Sequence, residues 1–258
     1  MKAILTGHKG FIGKRLLAKL KELNVYTWLV EINERIDEAM VEQCDIIFHV
    51  GAISDTTLQD SREMLYHNYE CSKLLFDLAQ KHDKHVVYSS SAANYGSGDG
   101  IPNNIYGWSK KLAEDYGTKT CSKFTALRYF NVYGPGEEHK GKMASVAYQA
   151  YKRGDFKLFP NKPRRDFIYV DDVVDANIHA LIFRPNGVFD IGYGEARTFE
   201  SLLDGMDIKY EYTKDVAIPQ WYQFHTCANK NKRLPGWTPK YNIEKGTNEY
   251  KKYLKETI

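Results

Sequence analysis

The sequence predicts an α/β protein: a doubly wound parallel sheet followed by a smaller α/β part. Three observations carry this. Apolar runs alternate with amphipathic segments, the order that produces βαβ units. The run 45–51, DIIFHVG, is almost continuously apolar, as a strand covered on both faces must be. A short strand at the N-terminus runs into spaced glycines and then a helix, the arrangement that presents a helix N-terminus to phosphate groups.

That first unit reads KAILTGHKGFIG over residues 2–13. Ala3 to Leu5 form the strand, and Gly7, Gly10 and Gly13 the loop. A helix over about 11–23 places Ile12, Leu16, Leu20 and Leu23 on one face. Early glycines allow a tight turn and close backbone approach to a pyrophosphate; the last lets helix and strand meet. Residues 25–31 (VYTWLVE) give the next strand. Glu31 at its end stands where a carboxylate can hydrogen-bond an adenosine ribose. A helix over 34–43 and the strand 45–51 follow. Gly51-Ala52 at that strand's end is placed against a bound dinucleotide, and Asn68 lies within a long helix over 62–81.

The stretch 86–110, VVYSSSAANYGSGDGIPNNIYGWSK, carries the most chemistry. It reads as a buried strand, small hydroxyl residues at its end, a turn-rich loop and a helix over 105–120. Tyr106 and Lys110 fall four apart on one helical face. An ammonium beside a phenol favours the phenolate, so Lys110 is expected to lower the Tyr106 pKa. A serine from the strand end completes a group able to move a proton on or off an alcohol. Tyr-x-x-x-Lys alone is unspecific. It recurs at Tyr69/Lys73, Tyr148/Lys152, Tyr210/Lys214 and Tyr241/Lys245, and only Tyr106 follows a strand ending in Ser-Ser-Ser.

Residues 123–130 form a further strand, and Pro135 and Gly136 then stop regular structure. The boundary between residues 1–131 and a smaller part, 132–258, is placed there, with 166–192 expected to return to the first part. The second part holds a charged loop with His139, Lys140 and Lys142, a helix to about 153, and a short strand at 156–159. A strand at 167–170 leads to a helix opened by Asp171-Asp172, which suit capping.

A net charge of +3 over 258 residues points to neither nucleic acid nor membrane partners. No run approaches the length of a membrane span. Cys44, Cys71, Cys121 and Cys227 match no metal or disulfide spacing, so reduced thiols in a cytoplasmic protein and no metal are expected.

Together, TGHKGFIG, FHVGA, VVYSSSAANYG, YGWSK, RYFNVYGPG and RRDFIYVDDVVDA resemble the extended short-chain dehydrogenase/reductase superfamily. The segments FNVYGPGEEHKGKMASVAYQ, KLFPN, RRDFIYV and PQWYQFHTCAN closely resemble the ADP-glycero-manno-heptose 6-epimerases. The resemblance implies a Rossmann-like NAD(P) domain and a C-terminal substrate-binding part. It implies an isomerase that inverts a carbinol centre of a nucleotide-diphosphate sugar by transient oxidation and re-reduction. It makes Ser91, Tyr106 and Lys110 the catalytic group, with Lys140 a second acid/base. Phe11, Ile12, Glu31, Val50, Gly51, Ala52, Ile53, Ser54, Asn68 and Lys110 would line the cofactor, NADP more than NAD. Asn131, Val132, Lys140, Lys142, Gln149, Leu158, Phe159, Pro160, Asn161, Arg165 and Tyr222 would line the substrate, with Arg165 on its diphosphate. To act as a base Lys140 must lose its proton, which burial or a neighbouring cation (His139, Lys142 or Lys110) would favour. A homo-oligomer associating through helices 62–81 and 105–120 is also implied.

The chain departs from the heptose epimerases in places. Only one helix fits between Glu31 and Asp45, the loop from Ser91 to Tyr106 is short, and Lys142 and Gln149 replace Ser and His. Sugar-nucleotide 4-epimerases or reductases are the nearest alternative, and a non-catalytic NAD(P)-binding protein a more distant one. A 4,6-dehydratase is disfavoured because the strand-end serines are not followed by Thr-Asp-Glu.

Overall fold

The computed structural model describes residues 1–257 except 33, 57, 59, 99 and 214–221. Lys214, and the Pro219–Trp221 part of the PQWYQFHTCAN motif, therefore lie outside the described residues.

The first part builds β1 (Lys2–Thr6), α1 (Phe11–Glu22), β2 (Tyr26–Val30), α2 (Glu38–Gln43) and β3 (Ile46–His49). Next come α3 (Ser61–Leu65), α4 (Cys71–Lys81), β4 (His85–Ser91), α5 (Ile105–Thr120) and β5 (Phe124–Tyr129). Then follow β6 (Asn131–Tyr133), α6 (Val146–Arg153), β7 (Asp155–Leu158), β8 (Arg164–Tyr169), α7 (Val170–Phe183) and β9 (Gly187–Ile191). Last come β10 (Ala196–Thr198), α8 (Phe199–Gly205), β11 (Lys209–Tyr212) and α9 (Ile243–Thr257).

Six strands form one parallel sheet in the order β2-β1-β3-β4-β5-β9. The apolar runs of the inner strands β1, β3, β4 and β5 are buried on both faces. One face packs Leu16 and Leu20 of α1 and Val173 and Leu181 of α7. The other packs Leu75 and Phe76 of α4 and Ala113 of α5. The chain reverses direction across the sheet between β1 and β3, and a crevice opens beyond their C-terminal ends, where such sheets bind ligands. Among the described residues β2 is the edge strand, with only α2 between it and β3. Of the segment 166–192, α7 and β9 join this sheet's layers. β8 instead forms a three-stranded sheet, β10-β8-β6.

Several local expectations change. The helix over 62–81 is interrupted by a π turn at Tyr66–Glu70, which directs Asn68 inward. The segment after Phe130 is not wholly irregular, because Asn131–Tyr133 pairs with Phe167–Tyr169. Asp171 and Asp172 do not cap α7, whose N-cap is Tyr169 with no side-chain bond. Asp171 accepts from Arg15 Nε at 2.9 Å and so joins α7 to α1. Asp172 accepts the Lys240 and Tyr241 amides at 2.8 and 3.0 Å, pinning the approach to α9. All four cysteines are free, with Cys44 and Cys121 buried. No helix of the described residues is long and apolar enough to cross a membrane.

Candidate active site

The crevice begins where β1 and β3 end. Gly7 has φ +70°, and a β-carbon there would lie 2.5 Å from the Gly51 α-carbon. A β-carbon on Gly13 would lie 2.0 Å from the Gly7 carbonyl oxygen. Each contact requires glycine, and together they leave a backbone cradle at the start of α1. That helix has no side-chain cap and no acidic residue in its first turn. Its free amides and partial positive charge therefore face the cradle, which fits a dinucleotide pyrophosphate. Glu31 Oε1 accepts the Lys9 amide at 2.8 Å and lies 2.9 Å from His8 Nδ1. The acidic position is thus tied to the glycine loop.

From the cradle a cleft of about 810 Å³ runs towards the C-terminal part. Gly7, Gly10, Phe11, Ile12, Gly13, Glu31 and Val50 to Ser54 line one end. Ser91, Tyr106, Lys110, Asn131, Val132, Lys140 and Arg165 line the rest. An adjoining cavity of about 290 Å³ shares Ser91, Tyr106, Asn131 and Arg165, and adds Asn103, Asn104, Tyr222 and Thr226. A third, of about 1130 Å³, meets the cleft at Glu31, Ile32 and Gly51 and includes Arg35.

Tyr106, Lys110 and Ser91 are set by two elements. β4 ends at Ser91, which accepts the Ala93 amide at 3.1 Å. Asn104 caps α5 by accepting the Gly107 amide at 2.8 Å, fixing where Tyr106 enters the helix. Ser91 and Tyr106 line the same stretch of the cleft and of the adjoining cavity, as groups sharing a substrate oxygen must. Lys110 is 2% exposed, and its Nζ lies 4.3 Å from the centre of the Tyr88 ring. Burial lowers the Lys110 pKa to about 7, while Glu114 one turn on raises it. Tyr106 departs from expectation: burial raises its pKa, and only the Ser91 hydrogen bond opposes this. Removal from water penalises the phenolate more than any neighbour stabilises it.

Behind this group, Glu114 is fully enclosed. It accepts from Ser90 Oγ at 2.6 Å, Asn94 Nδ2 at 3.2 Å and Arg128 Nε at 2.9 Å. The network fixes β4, β5 and α5 relative to one another.

Lys140 enters from the loop after β6. It is not a solvated loop lysine: burial lowers its pKa, and Nζ lies 5.5 Å from the centre of the Phe11 ring. Of the two causes expected, burial accounts for the depression, and Glu137 acts in the opposite direction. Arg165 is buried between the rings of Tyr222 and Phe199, 5.1 and 5.8 Å from their centres.

Other expected residues stand elsewhere. Asn68 is behind the cleft wall rather than in it. Its Oδ1 accepts the Ile53 amide at 2.8 Å, and Nδ2 donates to the Ile53 carbonyl at 2.9 Å and Ser109 Oγ at 3.0 Å. It therefore holds the loop over 50–54. Lys142 is exposed, and its carbonyl accepts from Gln149 Nε2, which also donates to the Ala144 carbonyl at 2.7 Å. Gln149 thus braces the Lys140 loop. Leu158 lies in an apolar cluster with Ala150 and Leu203. Phe159 packs on Tyr222, and Pro160 and Asn161 are exposed; none of these lines the cleft or the adjoining cavity. Sequence reasoning passed over Glu137, Glu114, Asn103, Asn104 and Thr226. Glu137 sits in the GPGEEHKG motif, read only as a charged loop.

Solved structures resemble this fold along its whole length. ADP-L-glycero-D-manno-heptose-6-epimerase of Helicobacter pylori superposes with a TM-score of 0.85 at 26% identity, covering 100% of this chain and 96% of that one. UDP-glucose 4-epimerase of Thermotoga maritima, solved with UDP-glucose, gives 0.82 at 25% identity, covering 100% and 99%. UDP-glucuronic acid 4-epimerase of Bacillus cereus, solved with a UDP-sugar and NAD, gives 0.84 at 21% identity, covering 100% of both chains. A sequence profile of the NAD dependent epimerase/dehydratase family matches residues 3–192, and this chain belongs to that family.

Proposed function

We propose that the protein is a nucleotide-sugar epimerase, of the ADP-glycero-manno-heptose 6-epimerase kind, which inverts a carbinol carbon through a transient ketone. The observation that carries this is one cleft holding two separate proton-handling groups, Tyr106 with Ser91 and Lys140 from the facing loop. An unactivated carbinol carbon is too weak an acid for direct deprotonation, so its inversion needs oxidation first. A bound nicotinamide supplies the hydride acceptor and donor. The residues must then serve the same oxygen in two orientations. Tyr106 handles the proton in one, with Ser91 orienting the oxygen, and Lys140 handles it in the other. Arg165 binds the diphosphate, and Asn131 and Tyr222 the sugar end. NADP is the expected cofactor. Glu31 is tied to His8 and Lys9, while Arg35 in the adjoining cavity offers a cation to a 2′-phosphate; the NADP-to-NAD affinity ratio tests this.

Replacing Lys140 with Met should reduce epimerisation at least about a hundredfold while hydride exchange in one orientation persists. NMR of the sugar nucleotide reads the first, and transfer of deuterium from labelled cofactor the second. Epimerisation near the wild-type rate would overturn the two-group reading. A UDP-sugar 4-epimerase is the second reading, favoured by the Thermotoga maritima likeness.

A further inference from the structure

Glu137 is fully buried, yet nothing in the chemistry above uses it. Its carboxylate reaches both ends of the loop that carries Lys140. Oε1 accepts the Gly134 amide at 3.2 Å, where β6 ends, and the Ser145 hydroxyl at 2.7 Å, where α6 begins. Oε2 accepts the Ser145 amide at 2.5 Å. Ser145 in turn caps α6 by accepting the Tyr148 amide at 3.3 Å. The Glu137 carbonyl accepts the Lys140 amide at 3.0 Å. Gly134 has φ +134° and packs against Val170, so the loop's entry is fixed as well. A carboxylate removed from water needs donors, and here each oxygen receives one or more from the two ends of the same loop.

We propose that Glu137 is the positioning residue for Lys140: its buried carboxylate clasps both ends of the 134–145 loop and so holds the Lys140 ammonium beside Phe11 in the cleft. The clasp keeps a negative charge near that ammonium, which raises the Lys140 pKa against the burial that lowers it. Other titratable groups line the cleft, namely Glu31, Asp55, Tyr106, Lys110, Tyr129, Tyr133, His139 and Arg165. Glu138 and Lys142 share the loop, Tyr250 faces Glu137 from α9, and Tyr148 of α6 acts on Tyr250. Among these, Glu137 alone acts on Lys140 to a resolved degree.

The inference rests on the reading of Lys140 as an acid/base group, so one readout is independent of turnover. Acylation of Lys140 in the holoenzyme, followed by mass spectrometry as a function of pH, gives its titration midpoint. Glu137→Gln removes the charge and turns one acceptor into a donor; Glu137→Asp keeps the charge but shortens the reach. The Gln variant should move the Lys140 midpoint to lower pH. Its kcat should fall roughly ten- to a hundredfold with KM for the sugar nucleotide within about twofold, as expected for a misplaced reacting group. The Asp variant should keep the midpoint closer to wild type and lose kcat. In the Lys140→Met background neither change should reduce turnover further. An unchanged Lys140 midpoint together with unchanged kcat in Glu137→Gln would overturn the proposal. A Lys140→Met enzyme with wild-type turnover would instead overturn the acid/base reading, and the acylation profile would still report whether Glu137 holds Lys140.

Discussion

Lys110 shows how one residue is kept ready at a cost to the fold. Its pKa falls from 10.5 to about 7 because burial penalises the ammonium. The unfolded chain therefore binds more protons than the folded one between pH 7 and 10.5, and stability rises with pH across that window. Below pH 7 both states carry the charge and the penalty is complete. Lys110→Met should abolish turnover yet stabilise the protein at pH 7, by on the order of 2–4 kcal/mol. The gain should shrink as pH approaches 10.5. Denaturant melts of both proteins at pH 7 and pH 10 check it, and a destabilised Met variant at pH 7 would show that the buried amine is favourably paired. The Tyr106 case teaches the converse. Spacing identified the pair, but the direction of the tyrosine's shift depended on how deeply both groups are buried, which spacing does not encode.

Elements decide how the cofactor end of the cleft is held. The π turn at Tyr66–Glu70 adds one residue to a helical turn and swings Asn68 onto the loop that follows β3. Asn68 satisfies both backbone groups of Ile53, which otherwise have no strand to pair with. Asn68→Ala should cost about 1–3 kcal/mol, because it leaves two half-buried backbone groups without partners. It should also weaken dinucleotide binding by loosening residues 50–54. Calorimetric titration with NADP and NAD reads the second effect, and full affinity would separate Asn68 from the site. The sequence placed Asn68 inside a helix, and resemblance placed it at the cofactor. Its direction was not legible, because a regular helix and a π turn point the same residue differently. Asp171 and Asp172 show the same limit: two aspartates opening a helix look like caps, but their partners, Arg15 and the amides at 240–241, lie far away in sequence.

At the scale of the whole molecule, buried carboxylates hold the C-terminal segment to the sheets. Asp166 accepts the amides of Tyr193, Gly194 and Ala228 at 2.8 to 2.9 Å. Asp190, on the sheet's last strand, accepts the Asn229 amide at 2.9 Å and the Tyr95 hydroxyl at 2.8 Å. These bonds anchor the segment beyond Tyr222 and Thr226 to β8 and to β9, the last strand of the main sheet. On the outer surface, Tyr66 and Leu74 beside Trp108 and Leu112 leave apolar area exposed on the α4 and α5 side. Self-association through this side is the expectation. Sedimentation should then give a dimer or larger assembly, and Leu74→Glu with Leu112→Glu should shift it to monomer. Sedimentation of the unaltered chain as a monomer would refute that.

The sequence by itself determined the alternation of strand and helix, the glycines at 7, 10 and 13, and the Tyr106/Lys110 pair, because each is a local demand of backbone geometry or helical spacing. The tertiary structure alone decided that Glu137 grips the Lys140 loop, that Asn68, Lys142 and Gln149 stand outside the cleft wall, and that burial sets the protonation of Lys110 and Tyr106. Those properties depend on which distant groups share a low-dielectric space, and that is fixed only once the chain has packed.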